Sequence, residues 1–276
     1  MANCQINTIV REGKDMHFSD VEQALTGFLR ESPLNIVPEL SSMRIYDTPL
    51  IGVASTDDLL FGRLKEEEVV GPQHLLPQEW LPAGQSVISW FLPFSQRVRT
   101  ANRQGDLPAA EWLYARIEGE MMNNALRQFL VEWLQQEGYQ AVAPALDSRM
   151  AVVNRRSNWS ERHVGFVAGL GTFSLSRSFI SQKGSAGRLG SVITSLKLEP
   201  TLRDYEEFDA NCSHCSACIR RCPPKAINRN GKDNAICSDY VDAMLARYKP
   251  RYGCGKCQTG VPCEDRIPKE RRNISK

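Results

Sequence analysis

Cys212, Cys215, Cys218 and Cys222, the last followed by Pro223, are spaced Cys-x2-Cys-x2-Cys-x3-Cys-Pro. A thiolate at every third residue can wrap three corners of a cubane iron–sulfur cluster from one tight loop. The proline then turns the chain, and the fourth cysteine points to a different cluster. One such run asks for four more thiolates, and Cys237, Cys254, Cys257 and Cys263 follow it. The spacing assigns Cys212, Cys215, Cys218 and Cys263 to one [4Fe-4S] cluster and Cys222, Cys237, Cys254 and Cys257 to a second. Cys263 is the weakest member, because its gap from Cys257 is wide for a simple repeat. Cys4 is left over as an incidental thiol. Paired Cys-x-x-Cys also suits tetrahedral zinc, but zinc ribbons rarely add a third and fourth cysteine followed by proline.

The rest of the chain must position these thiols. Its 276 residues suffice for one large or two smaller domains. The first ten residues show neither the basic and apolar regions of a secretory leader nor a twin arginine, and no window is apolar enough to span a bilayer. A cytoplasmic protein without membrane association is expected, where thiols stay reduced and disulfides are disfavoured. Net charge is +2, yet residues 211–276 hold 14 Lys and Arg against 6 Asp and Glu. That excess suits the negative charge of two thiolate-ligated clusters better than a nucleic-acid surface, so nucleic acid is not expected as a partner.

Upstream, Ser19 and Glu22 form a capping box for a helix carrying Val21, Ala24, Leu25, Phe28 and Leu29. His17 and His74 read as surface or packing residues. Ser86 to Pro93 is a short apolar run expected as a strand buried on both faces. A long helix from about Pro108 carries Trp112, Ile117, Met121, Ala125, Leu126, Phe129, Trp133 and Leu134, with Gly138 placed to end it. Gln140 to Ala145 reads as another strand, and this order predicts a layered α/β domain. The stretch from Ser157 through His163 runs into Val164 to Ala168, which could form one or two helical turns. Phe173 to Ile180 and Leu189 to Leu196, across the glycine-rich loop 182–187, read as a hairpin. Its glycines could let the backbone approach a large ligand, although a helix cap and a turn explain them equally well.

Glu161-Arg162 ahead of Ala168-Gly169-Leu170-Gly171, the glycine-rich loop, the cysteine run with Ala226-Ile227, Cys237-Ser238-Asp239-Tyr240 and Tyr252-Gly253-Cys254-Gly255-Lys256-Cys257-Gln258 together resemble the epoxyqueuosine reductases. Leu81 to Ile88 and Tyr114-Ala115-Arg116 are also similar, so the likeness covers roughly residues 75–265. The resemblance, shared with reductive dehalogenases, implies an α+β chain: a nitroreductase-like α/β domain holding a corrinoid, here residues 1–200, and a ferredoxin-like two-cluster domain, here 201–276. It implies cobalamin near Arg162, His163, Gly169, Gly171, Thr172, Gly184, Gly187, Gly190 and Ser191, fed by the clusters.

Three departures qualify it. The family continues into a helical repeat domain that holds tRNA, whereas this sequence stops at Lys276. The family's proton-donating aspartate falls about thirteen residues before the alanine of Ala-Gly-Leu-Gly, which is Arg155 here unless a longer loop brings in Asp147. Cys263 lacks the proline that follows the family's last cysteine. The expected function is therefore an oxidoreductase passing electrons from a redox partner such as ferredoxin or flavodoxin to a cobalamin, and reducing a small-molecule or corrinoid substrate. The alternatives are an electron-transfer or corrinoid-carrying protein without substrate chemistry, and tRNA modification of the epoxyqueuosine reductase type.

Overall fold

A computed structural model describes residues 16–269; Cys4 lies outside them. The first helix, α1 (Phe18–Glu31), is followed by the short pair β1 (Ile36–Val37) and β2 (Met43–Arg44), then β3 (Leu50–Ser55), α2 (Leu59–Arg63), α3 (Pro77–Trp80) and β4 (Ser86–Pro93). Next come α4 (Gln96–Arg103), α5 (Ala110–Gln136), β5 (Ala141–Val142), the hairpin β6 (Val152–Val153) and β7 (Arg156–Ser157), and α6 (Glu161–Val167). The cysteine-rich part follows β8 (Gly171–Phe173), β9 (Phe179–Ser181) and β10 (Gly187–Thr194). It holds α7 (Ala217–Arg221), β11 (Ile227–Asn228), β12 (Gly231–Lys232) and α8 (Asn234–Tyr248).

The central sheet is antiparallel with the order β3-β4-β10-β5. Every residue of β4 is buried, because helices cover both faces. Ile88, Trp90 and Leu92 point into the core shared with α1 and α5, while Val87 joins Val164 and Val167 of α6 on the other side. Alternation along a strand thus becomes two cores, which makes this a mixed α/β fold. The strand expected at Ser86 to Pro93 is therefore present, with both faces buried as anticipated.

Elsewhere the sequence expectations need correction. The box that opens α1 is closed by Asp20, whose carboxylate accepts from His17 N at 2.8 Å, not by Ser19 and Glu22. Along α5 the buried stripe runs through Trp112, Ala115, Met122, Leu126, Leu130 and Leu134; Met121 is 56% exposed. Gly138, with φ of 91°, does end that helix. The expected hairpin is replaced by another: β8 pairs with β9, and β10 leaves to sit between β4 and β5. Its eight-residue register with β4 buries far more apolar surface than a local pairing would. Of the two readings of His74, packing holds: it is fully buried and stacked on Trp159.

Candidate functional site: a thiol-floored cavity between sheet and cysteine module

The Cys212-to-Cys222 loop is shaped by two left-handed residues, His214 (φ 49°) and Ser216 (φ 61°), which fold the backbone tightly enough to turn three thiols inward. Asn211, just before it, is fixed when its N–H donates to Thr172 Oγ1 at 2.9 Å and its amide to Ile180 O at 3.0 Å. Cys237 rides on α8, capped by Asp233. Cys254 precedes and Cys257 sits within a 3-10 turn (Lys256–Gln258) whose buried Lys256 donates to backbone oxygens at the C-terminal end of α4. Gly255 must be glycine: its φ is 65°, and a Cβ there would sit 1.9 Å from the Trp112 ring.

The distant Cys263 is brought in by the glycine-rich loop. Ser185 N donates to Cys263 O at 2.8 Å and Ala186 N to Glu264 O at 3.1 Å. Gly184, with φ of 78°, lies against Asp265 so closely that a Cβ would be 2.3 Å from its nitrogen. Arg103 grips the buried Glu264 carboxylate through two nitrogens, at 2.7 and 3.0 Å, and Arg99 pairs with Asp265.

The eight thiols gather into two sets. Cys254 has Cys257, Cys237 and Cys222 as electrostatic neighbours, and Cys263 has Cys212 and Cys215. Cys218 belongs with the latter set and also senses Cys257 of the former. All eight are free of disulfides. Burial, reinforced by neighbouring thiols, pushes Cys218 and Cys254 up to about 12 and Cys263 to about 11. Four such thiolates tolerate one another only around cationic metal, and this donor chemistry fits a cluster in each set. Hydrogen bonds reach the sulfurs: Ala226 N donates to Cys222 Sγ at 3.2 Å and Ser185 Oγ to Cys263 Sγ at 3.8 Å.

Cys222, Cys237, Cys254 and Cys257 open on a cavity of about 480 Å³ between the sheet and the cysteine module, within the range of small-molecule sites. Its walls include Phe91, Trp112, Leu189 and Tyr252, with Arg116, Glu120, Arg127, Glu161, Arg162, Arg177, Arg188 and Lys232. Buried Arg127 bridges Glu120 at 2.9 Å and Glu161 at 3.1 Å, and its Nε has no protein partner. Burial raises the Glu161 carboxyl against the pull of Arg127, while Ser191 Oγ donates to it at 2.6 Å. The other thiol set lines a small recess with Ser213, His214 and Ser216.

Of the nine residues expected around a corrinoid, only Arg162 and Gly187 line this cavity. Gly169 packs on Thr201, Gly171 on the Ile180 backbone, and Gly190 on Trp90. Thr172 and Ser191 are spent on the hydrogen bonds above, and Gly184 on Cys263. His163 pairs with Ser160 Oγ at 2.7 Å and lies tilted against the Phe173 ring. The cavity's polar walls and orphaned Arg127 Nε suit a large polar ligand, but not through the expected glycine cradle.

The catalytic candidates also lie elsewhere. Asp147 is clamped by Arg149 at 2.7 Å, which holds its carboxyl down to about 2, and Arg155 is an exposed, left-handed residue of the β6–β7 turn. Neither lines the cavity. Glu120, Arg127 and Glu161 do; sequence reasoning quoted Glu161 only within the resemblance and missed Glu120 and Arg127, for which an acid and an arginine on a long helix were the available signal.

The chain is 26% identical to the epoxyqueuosine reductase of Lactococcus garvieae (strain Lg2) over 206 residues, 69% of this chain and 55% of that protein. Against the epoxyqueuosine reductase of Bacillus subtilis (strain 168) it is 25% identical over 240 residues, 76% of this chain and 58% of that one. The chain thus spans a little over half the length of these relatives. No family model matches. Among solved structures, an epoxyqueuosine reductase with an epoxyqueuosine-modified tRNA-Tyr stem loop superposes with TM-score 0.54 at 18% identity, over 89% of this chain and 66% of that one. A reductive dehalogenase whose structure suggests a B12-dependent mechanism gives TM-score 0.55 at 14% identity, over 79% of this chain and 30% of that one. These likenesses establish the mixed α/β fold.

Proposed function

We propose that the chain is an iron–sulfur reductase of the epoxyqueuosine reductase type. In this reading residues 1–200 form a nitroreductase-like α/β domain and 201–276 a ferredoxin-like domain with two [4Fe-4S] clusters. The observation that carries it is the placement of the Cys222, Cys237, Cys254 and Cys257 thiols on the floor of the cavity, with the other set beside the exposed His214. Electrons from a ferredoxin or flavodoxin would enter at the Cys212 set and leave from the Cys222 set into the cavity. A corrinoid held there would supply a metal centre that takes up those electrons. The residues of this chain shape the space around the occupant: Trp112, Phe91 and Tyr252 exclude water, and the Glu120–Arg127–Glu161 network with Arg188 holds a polar wall in place.

The names of the relatives bear on the substrate. They favour a modified nucleoside in tRNA over the small-molecule or corrinoid substrate expected from the sequence, and they weigh against the expectation that nucleic acid is not a partner. The test is anaerobic reconstitution with iron and sulfide, addition of hydroxocobalamin and a chemical reductant, and turnover of an epoxyqueuosine-bearing tRNA stem loop. Product formation that depends on both cobalamin and the clusters supports the reading; intact, reducible clusters with no product contradict it. A second reading, a carrier of electrons or corrinoid that does no substrate chemistry, is favoured by one observation: Asp147 is locked to Arg149 away from the cavity. It predicts rapid cluster oxidation by a redox partner and no turnover.

A further inference from the structure

Six cations and two carboxylates wall the cavity, and the carboxylates are already committed. Glu120 pairs with Arg127 and Arg188, and Glu161 with Arg127. Arg116 lies over the Tyr252 ring and donates to its hydroxyl at 3.2 Å. That leaves Arg162, Arg177 and Lys232, which have no carboxylate partner among the described residues.

These three form one corner. Arg162 Nη1 donates to the backbone oxygen of Arg177 at 2.6 Å. A Cβ on Gly231 would lie 3.9 Å from Arg177 Nε, which puts the β11–β12 turn and Lys232 alongside. Lys232 is in turn an electrostatic neighbour of Cys257. Arg177 is presented by a left-handed backbone, φ 57°, at the tip of the β8–β9 hairpin. Like charges so placed repel, and Arg177 opposes the charge on Arg162, whose side chain keeps contact with solvent. Guanidinium groups at the open rim of a cavity are suited to binding phosphate oxygens through two nitrogens at once.

We propose that Arg162, Arg177 and Lys232 form a phosphate-binding subsite at the cysteine-module end of the cavity. This rests on the reading that the cavity holds the reactive ligand, and it defines that ligand as one that carries a phosphate. The phosphate belongs either to the nucleotide loop of a corrinoid or to the substrate.

Isothermal titration of the cluster-reconstituted full chain with inorganic phosphate at low ionic strength tests it. Saturable one-to-one binding is expected, weakened at least tenfold in R162Q and in R177Q and unchanged in K197Q, a lysine exposed elsewhere. Cluster absorbance is recorded for each variant, and R177Q, whose side chain is exposed, carries the test if R162Q loses its clusters. A parallel comparison of cobalamin with cobinamide, which lacks the phosphate, assigns the source. Loss of affinity in R162Q for cobalamin alone points to the corrinoid; loss for neither, with phosphate binding abolished, points to the substrate. No saturable phosphate binding by the wild type, or equal weakening in K197Q, overturns the proposal, and the cations then serve only to offset cluster charge. Absence of iron would refute the reductase reading separately, since phosphate binding is measured without turnover.

Discussion

Lys256, between two of the cysteines, donates its Nζ to the backbone oxygen of Asn102 at 2.9 Å and is fully buried there. Asn102 answers with its side chain, donating to Cys254 O and to Thr259 Oγ1, each at 3.1 Å, while its own Oδ1 accepts from Ala109 N. One buried asparagine at the end of α4 thereby ties the cysteine module to the sheet domain and fixes the position of Cys254.

Replacing Asn102 should therefore damage more than local packing. N102A leaves several buried groups unpaired, at about 1–3 kcal/mol each. The expected outcome is a lower urea midpoint together with faster loss of cluster absorbance, read in one titration at two wavelengths. Unchanged cluster retention would argue that the module holds its geometry independently.

K256M removes a buried cation beside the Cys222 set. A reduced cluster gains negative charge, so loss of a nearby cation should make reduction harder. The midpoint potential of one cluster should move to more negative values in an EPR-monitored titration while the other stays put. Equal movement of both would contradict the placement.

Arg127 is only 3% exposed at its side chain and depends on Glu161 and Glu120. E161A leaves a buried cation half-compensated, a change that costs about 3–5 kcal/mol in comparable buried pairs. Chemical denaturation should show this as a shifted midpoint at unchanged slope, and a loss below about 1 kcal/mol would mean that Arg127 is better solvated than its burial indicates.

Burial lowers His74 to about 4 and His163 to about 3, from an ordinary 6.5. In the unfolded chain both take up protons below about 6.5, whereas in the fold they stay neutral. Stability is then full above about 6.5 and declines as the pH falls toward 4, with a slope approaching about 1.4 kcal/mol per pH unit for each histidine. H163F should flatten the curve of unfolding free energy against pH between 4 and 6.5. An unchanged slope would place the acid sensitivity in other groups.

Gly184 admits the backbone of Asp265, where a Cβ would clash. G184A should displace Cys263 and cost one cluster, cutting iron by about half while the Cys222 set remains reducible. Full iron content would contradict the link between the loop and the eighth thiol.

How much of this was legible beforehand follows from where the information lies. The β4 strand was readable because alternation is a local signal, and the spacing of the cysteines is local in the same way, so both thiol groupings could be written down before any fold was known. The partner of β10 was not legible, since eight residues of register with β4 are decided by sheet-wide burial. Glycine runs are ambiguous for the same reason: a missing Cβ marks close approach by something, and at Gly184 the chain's own residue 265 makes that approach. The cavity walls, with Arg127 and Glu161 from separate helices, exist only once those helices cross the sheet.

The most direct test is iron, acid-labile sulfide and zinc measured per chain on anaerobically purified protein, with EPR of the dithionite-reduced sample. About eight iron and eight sulfide, with the magnetic coupling expected of two neighbouring reduced cubanes, is the predicted result. Two zinc ions per chain with no labile sulfide would contradict it.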